Sequence, residues 1–386
     1  MRITGKYDKT IVAGEEVAAF IPKPLPPKNP ALKIDEEISA LLQKAEHALS
    51  RLALAGEMVP SLEWFIYGFV RKEAVVSSQI EGTQATLVDL LAFEANVNDT
   101  PQSTDVEEVC NYLTALSFAR SELSLDNGLP LSMRLLNQIH HRLMQGVRGA
   151  DKQPGEIRRS QNWIGGTRPG NAVFVPPPPN ALPNLLSSFE KYIHTDDELP
   201  PLIRAGLIHV QFETIHPYLD GNGRIGRLLI TLLLEHWNLI SAPLLYLSIF
   251  FKRHRDEYYR RLAAVRKEGD WEGWIRYFLE AVATISVEAT ASAREIFSLI
   301  SRDRTKVLAG SSSTLMAAKL FELLPMHPFV TTAKVMDLLS TTRPTANKAI
   351  HALLDVEILK ETTGKKRDRE FGYIAYLDLL KVGTEL

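Results

Sequence analysis

Twelve consecutive residues concentrate the chemistry of this sequence: His216, Pro217, Tyr218, Leu219, Asp220, Gly221, Asn222, Gly223, Arg224, Ile225, Gly226 and Arg227. Gly221 and Gly223 let a backbone approach a ligand closely, and Asn222 suits a helix N-cap, so the run reads as a loop opening a helix. The first N–H groups of a helix have no carbonyl partner within it and form an anion site. Arg224 and Arg227, three apart in the first turn, share one face and oppose the helix dipole. A polyphosphate lying over the helix start, or a carboxylate standing in for one, would offset that opposition. Asp220 adds a hard oxygen ligand suited to magnesium beside phosphate oxygens. His216 brings a ring whose ordinary pKa of about 6.5 suits proton abstraction near neutrality. Pro217 predicts an extended backbone for it.

Two familiar loops are excluded. An EF-hand fails because Arg224 stands at a ligand position and Thr231 where the terminal Glu is needed. A P-loop fails because the sequence holds no Gly-x4-Gly-Lys-Ser/Thr.

The run from His216 to Arg227 resembles the signature of the Fic family, His-Pro-Phe-x-Asp-Gly-Asn-Gly-Arg-x-x-Arg, departing from it in Tyr218. The resemblance implies a helical enzyme that moves AMP from ATP to a Ser, Thr or Tyr hydroxyl of a target protein, itself included. It implies His216 as the general base and Asp220 as the Mg2+ ligand. Gly221, Asn222 and Gly223 would hold the α- and β-phosphates, Arg224 the β-phosphate and Arg227 the γ-phosphate. Gln211 and His254 are expected on the adenine side, His254 where many relatives carry Asn. The same fold allows another phosphate-containing donor, or removal of AMP. A nucleotide-sensing, DNA-binding regulator is the alternative from a different class.

The family also uses an inhibitory helix with the pattern Ser/Thr-x-x-x-Glu-Gly/Asn, and Ser77, Glu81 and Gly82 match it. Glu81 at a helix end could form a bidentate pair with Arg227 in place of the γ-phosphate, with Ser77 one turn earlier bracing it. Family members carry a β-hairpin flap that holds the target chain by strand addition. Residues 155–179, with turn signals at Gly165-Gly166 and Pro169-Gly170-Asn171, fit that place. Trp163, Ile164, Val173 and Phe174 are candidate contacts there.

The elements that must position these residues read as mainly α. Apolar residues recur at helical spacing from Ile34 to Leu52, and further helices are expected from Ser61, over 106–123, 131–144, 183–192, 201–212, 224–237, 252–266 and 271–300. The division expected is 1–102 for a proline-rich arm and helices with the inhibitory motif, 103–300 for the catalytic core, 301–314 for a linker around Gly310-Ser-Ser-Ser313, and 315–386 for a winged helix-turn-helix. The fold expected is thus a Fic-type helical bundle with a β-hairpin flap, followed by that winged domain. Thr342, Asn347 and Lys348 would start its third helix. Lys365, Lys366, Arg367 and Arg369 would tip its wing, diluted by Asp368 and Glu370. DNA is therefore one partner to consider, and dimerisation or target capture is the other use of such a module; family members often form homodimers.

Composition sets outer bounds. The 386 residues are 45% hydrophobic and 23% charged with a formal net charge of −2, which excludes a protein that coats nucleic acid or anionic membrane as a whole. The single cysteine, Cys110, excludes an internal disulfide and a cysteine-based zinc cluster, and its acidic neighbours disfavour a thiolate. The N-terminus has no apolar signal core, and no run reaches the ~18 apolar residues of a membrane helix. No membrane partner and a cytoplasmic location are the expectations.

Overall fold

The structure, a computed structural model, describes residues 2–57, 61–95, 104–365 and 367–386. The arm begins with strands β1 (Gly5–Val12) and β2 (Glu15–Pro22), followed by helices α1 (Glu36–Glu57), α2 (Leu62–Ile80), α3 (Leu87–Ala95) and α4 (Thr104–Ser124). The middle of the chain holds α5 (Met133–Leu143), α6 (Leu182–His194), α7 (Pro201–Ile215), α8 (Asn222–His236), α9 (Ser248–Arg253), α10 (Arg255–Glu268) and α11 (Trp271–Ala309). The C-terminal part runs α12 (Leu315–Leu323), β3 (Phe329–Thr331), α13 (Thr332–Leu339), α14 (Arg343–Asp355), β4 (Lys360–Glu361), β5 (Glu370–Gly372) and α15 (Ile374–Leu380). The chain is mainly helical, as its periodicity predicts.

Two compact units emerge, and neither is a continuous stretch of sequence. The first comprises Met1–Ser50, Asn111–Ser241 and Phe250–Ser286; the second comprises Arg51–Cys110, Ala242–Ile249 and Val287–Leu386. The expected boundary at 102/103 lies outside the described residues, as does Lys366. The expected linker starts late: residues 301–309 are the last turns of α11. Ile296, Ile300, Asp303 and Val307 keep one buried stripe going at three- and four-residue spacing, so the helix continues to Gly310.

In the first unit, β1 and β2 form an antiparallel hairpin in register from Gly5↔Pro22 to Val12↔Glu15. Ala13 and Gly14 both have positive φ, which gives the two-residue turn that matches strand twist. The hairpin supports segment 164–175, whose own strand pairing is one antiparallel bridge, Ile164↔Phe174. Phe20 N–H donates to the Val175 carbonyl at 2.9 Å. Val17, Ala19 and Val175 close a small core, with Val12 and Ala172 packed on it. A lone bridge would be marginal in water, and β2 supplies what it lacks.

Helices α7 and α8 form the centre of this unit. Every α7 residue from Leu202 to Ile215 is buried, as are Ile225 to Leu234 of α8. A helix buried on all sides lies inside a core, and the polar side chains it carries, such as His209 and Gln211, are hydrogen-bonded there. Fully burying one Leu or Ile there contributes roughly 1.5–3 kcal/mol relative to exposing it.

In the second unit, α2 buries Trp64, Phe65, Phe69, Val75 and Val76. Glu73, also buried, accepts from both the backbone N–H (3.1 Å) and the hydroxyl of Ser248. Helix α3, which periodicity did not single out, is capped by Thr86: its hydroxyl accepts from Asp89 N–H, and Asp89 accepts from Thr86 N–H at 2.8 Å. At the C-terminal end, α12, α13 and α14 pack on one another beside a three-stranded sheet of order β3-β5-β4.

Candidate active site

His216 ends α7. Its backbone is left-handed, φ 51° and ψ 63°, and its N–H closes the helix on the Phe212 carbonyl at 2.9 Å. This corrects the extended conformation expected before Pro217. The physical reason is Arg158. Its Nε donates to the His216 carbonyl at 2.9 Å and its backbone N–H to the Pro217 carbonyl at 3.0 Å. These bonds hold a conformation that costs a non-glycine residue about 1–3 kcal/mol. Arg158 is itself 2% exposed, and burial pulls its guanidinium down to about 10.

The turn from Tyr218 to Asn222 closes on itself. Asn222 Oδ1 accepts from Tyr218 N–H at 2.9 Å, and Asn222 Nδ2 donates to the Tyr218 carbonyl at 2.8 Å. Asn222 was expected to cap the helix, yet it is the first helical residue, and Gly221 holds the cap position with φ 75°. The amide of Asn222 is committed to Tyr218, so a residue tolerant of positive φ takes the cap. The Tyr218 ring is fully buried and stacks on His140, centroids 3.9 Å apart and 5° from parallel. Its hydroxyl donates to Asn137 Oδ1 at 2.8 Å, which satisfies the polar group that distinguishes it from Phe.

His140 is a second pin on the loop. Gly155 N–H donates to its Nδ1 at 2.8 Å, so Nε2 carries the proton and donates to the Asp220 carbonyl at 3.0 Å. Burial pushes its pKa down to about 4, which keeps the ring neutral and the tautomer fixed. His209 acts likewise one helix over. Its Nδ1 meets the Gly226 carbonyl at 3.0 Å and its Nε2 the Tyr258 hydroxyl at 2.8 Å, with the pKa pushed down by burial to about 3.

These pins aim the start of α8. Arg224 and Arg227 are buried at 1% and 3% exposure, an unusual state for charged residues that are meant to stay in water. Arg224 Nη2 lies 3.4 Å from Met144 Sδ and 3.9 Å from Asp220 Oδ1. Asp220 keeps its side chain 44% exposed, and its Oδ1 accepts from Gly221 N–H at 2.6 Å. Its Oδ2 faces Gly149, where an added Cβ would come within 2.7 Å. No group of three or more His, Cys, Asp or Glu able to hold a metal occurs among the described residues. One outward carboxylate beside a phosphate-type cradle does fit magnesium, which is held by one or two carboxylates plus phosphate and water oxygens.

The remaining expected site residues lie as follows. Gln211 is buried, and its Nε2 donates to the Lys23 carbonyl at 2.9 Å, tying the arm to α7. His254 is the exposed N-cap of α10, and its ring rests on Phe250, 4.6 Å between centroids. A different α10 residue faces the flap segment: the Arg266 guanidinium lies 4.0 Å from the centre of the Phe174 ring. With Val17, Gly170 and Val173 it lines a cleft of about 250 Å³. Of the flap candidates, Phe174 is buried while Trp163 and Val173 are exposed. Arg158, His140 and Arg266 were not anticipated. Only Arg158 left a trace, as one of two adjacent arginines in the segment read as a flap.

In the second unit, Ser77 is fully buried, whereas Glu81 and Gly82 are exposed. Glu81 is the C-cap of α2, and Gly82, at φ 98°, ends the helix. Gln79 Nε2 donates to the carbonyls of Ala85 and Thr384, both at 2.9 Å, and the Thr83 hydroxyl donates to Glu108 at 2.9 Å. Burial, with Glu94 and Glu107 adding to it, pushes the Cys110 thiol up to about 11. Among the described residues no helix is long and apolar enough to cross a membrane.

Comparison with known proteins agrees with this geometry. The Fic/DOC family N-terminal model matches residues 39–121, and the Fic/DOC family model matches residues 130–234. A protein adenylyltransferase Fic from Drosophila grimshawi is 30% identical over 207 residues, 52% of this chain and 39% of the relative. One from Culex quinquefasciatus is 30% identical over 175 residues, 45% of this chain and 32% of the relative. The chain thus spans about two fifths or less of the length of these curated relatives. Among solved structures, a Fic family protein from Desulfovibrio desulfuricans G20 superposes with a TM-score of 0.58 at 21% identity, covering 89% of this chain and 97% of that one. A Fic domain containing signaling protein from Bacteroides thetaiotaomicron gives 0.50 at 17% identity, over 67% of this chain and 95% of that one. These likenesses speak for the fold, and the family models for descent: over residues 39–121 and 130–234 the chain belongs to the Fic/DOC family.

Proposed function

We propose that this protein is an adenylyltransferase that moves AMP from ATP to a hydroxyl of a target protein. The observation that carries the reading is the start of α8, where two buried arginines, an outward carboxylate and a histidine on a clamped backbone converge on one loop. ATP is the co-substrate, and Mg2+, held by Asp220 with phosphate oxygens, would neutralise charge on the leaving pyrophosphate. The backbone of Gly221, Asn222 and Gly223 at the helix start cradles the α- and β-phosphates, with Arg224 on the β- and Arg227 on the γ-phosphate.

In that setting the hydroxyl oxygen of the target attacks the α-phosphorus in line with the departing pyrophosphate oxygen. His216 takes the hydroxyl proton as the new O–P bond forms and the old P–O bond breaks. The target chain lies along the edge of segment 164–175, where exposed Val173 and Trp163 offer side-chain contacts.

Regulation by Glu81 is part of the same reading and rests on the Ser77-to-Gly82 motif. A carboxylate at the end of α2, paired in bidentate fashion with Arg227, would stand where the γ-phosphate must go. The test is intact-mass analysis of wild type and Glu81→Gly after incubation with ATP and Mg2+, alone and with cell lysate. An AMP-sized addition that grows in Glu81→Gly and vanishes in His216→Ala is the expected result. No addition to any protein from Glu81→Gly would overturn the reading.

A second reading concerns residues 315–386. Their order of helix, strand, two helices and a two-strand tip supports a winged helix, and Arg343, Asn347 and Lys348 are exposed along α14. A nucleotide-responsive DNA-binding regulator would show a salt-dependent, sequence-specific gel shift that Lys348→Ala weakens.

A further inference from the structure

Arg158 is a buried guanidinium whose described partners are all carbonyls. Nε donates to His216, Nη2 to Pro177 at 2.6 Å and to Ile215 at 3.5 Å, and Nη1 to Ser160 at 3.2 Å. Among the described residues no carboxylate pairs with it. A buried cation lacking a counter-ion is costly unless other groups meet it. Here the C-terminal carbonyls of α7 do so, since that end of a helix carries partial negative charge. The side chain therefore joins three places along the chain: the approach to segment 164–175 at 158–160, its exit at Pro177, and the end of α7 at His216.

We propose that Arg158 is a positioning residue for the reaction, whose task is to hold His216 in the left-handed conformation that aims its ring at the incoming hydroxyl. This rests on the reading of His216 as the general base. Two observations argue for it together. His216 is a non-glycine residue in a conformation it would leave if released, and Pro217 after it would favour release to an extended form. The carbonyl that Arg158 grips is the one belonging to His216 itself, so the clamp acts on the same two dihedrals that set the ring direction. The phosphate cradle is held by other bonds, Asn222 to Tyr218 and His140 to Asp220, and these do not involve Arg158. Loss of Arg158 should thus misplace the base while leaving nucleotide binding intact. Lys cannot replace it, because a single ammonium lacks the planar fork that reaches several carbonyls at once.

The experiment uses the full-length chain with Glu81→Gly as parent, and compares Arg158→Lys and Arg158→Met with the neighbouring control Arg159→Met. Arg159 is exposed and, among the described residues, pairs locally with Glu156. Steady-state AMP transfer, melting temperature and the histidine-ring signals of His216 by NMR are recorded for each. The expected result is a fall in kcat of about 100-fold for both Arg158 variants, with KM for ATP moving less than about threefold. The His216 ring signals shift in both variants, and the control changes neither. A KM rise as large as the kcat loss, or a kcat loss matched by an equal loss of folded protein, would overturn the proposal. If Arg158→Met does not fold, Arg158→Lys decides by the same criteria. If the parent transfers no AMP, it is the functional reading that fails. Positioning is then judged on the ring signals alone, and unchanged His216 signals in the Arg158 variants overturn it.

Discussion

The two helix ends at the centre of the proposed function, His216 at the end of α7 and Glu81 at the end of α2, stop in different ways. Helix α2 stops at a glycine, since Gly82 takes positive φ at no steric cost and leaves Glu81 at negative φ, −87° with ψ 3°. Helix α7 stops at His216, which takes positive φ itself. Where a side chain can precede the special backbone position, glycine suffices. Where it must occupy that position, other residues have to hold it, and Arg158 does so. The burial pattern follows the same division. The loop after α7 leads into the buried arginines of α8, whereas Glu81 and Gly82 are exposed beyond the anchored Gln79.

Removing the imidazole tests the α7 end most directly. His216→Ala should lower AMP transfer by about 10²- to 10⁴-fold with little effect on ATP binding, as read by transfer rate and calorimetry. Next in size is a pH effect on stability. His140 titrates near 4 in the fold and near its ordinary ~6.5 in the unfolded chain. As pH falls, the unfolded chain takes up the proton first. The stability this neutral ring supplies is therefore whole above about pH 6.5 and is lost progressively down to about pH 4. The loss is ~3 kcal/mol, and urea unfolding between pH 7 and 4 should show a slope that His140→Asn flattens. An unchanged slope in the variant would remove His140 as its source.

At the α2 end, Glu81→Gly should raise AMP transfer by about 5- to 150-fold, the usual span of a regulatory coupling. Equal rates in variant and wild type would leave Glu81 without a regulatory part. The smallest effect is the most specific to the comparison. An added methyl at Gly82 meets no atom within 4 Å, so Gly82→Ala carries only the cost of positive φ, about 1–2 kcal/mol in thermal or urea unfolding. A loss beyond that range would mean the turn is held by more than backbone preference.

Much of the site was legible because short-range rules govern it. Glycines beside Asn222 mark a helix start, two arginines in the first turn demand an anion, and Gly82 marks a helix stop, each from local backbone chemistry. The helices were legible from their apolar spacing, and α8 most of all. Three features were not. The conformation of His216 depends on a guanidinium 58 residues away, so Pro217 alone misdirected the expectation. The tail of α11 outran the expected linker because its buried stripe is weak in apolar residues and includes Asp303, which the Tyr373 hydroxyl meets at 2.8 Å. Segment 164–175 reads as a hairpin that has to lean on something, and only the structure shows that its support is a strand contributed by the first 22 residues.

The sequence by itself determined that this chain is mainly helical and that one glycine-bracketed loop opens a buried helix with cationic side chains. Local spacing and backbone preference decide such things. Only the tertiary structure decided which residues hold that loop in place. Arg158, His140 and Asn137 act through hydrogen bonds to groups 58 to 81 positions away, and bonds between distant segments follow from how helices pack, leaving no period or motif in the chain.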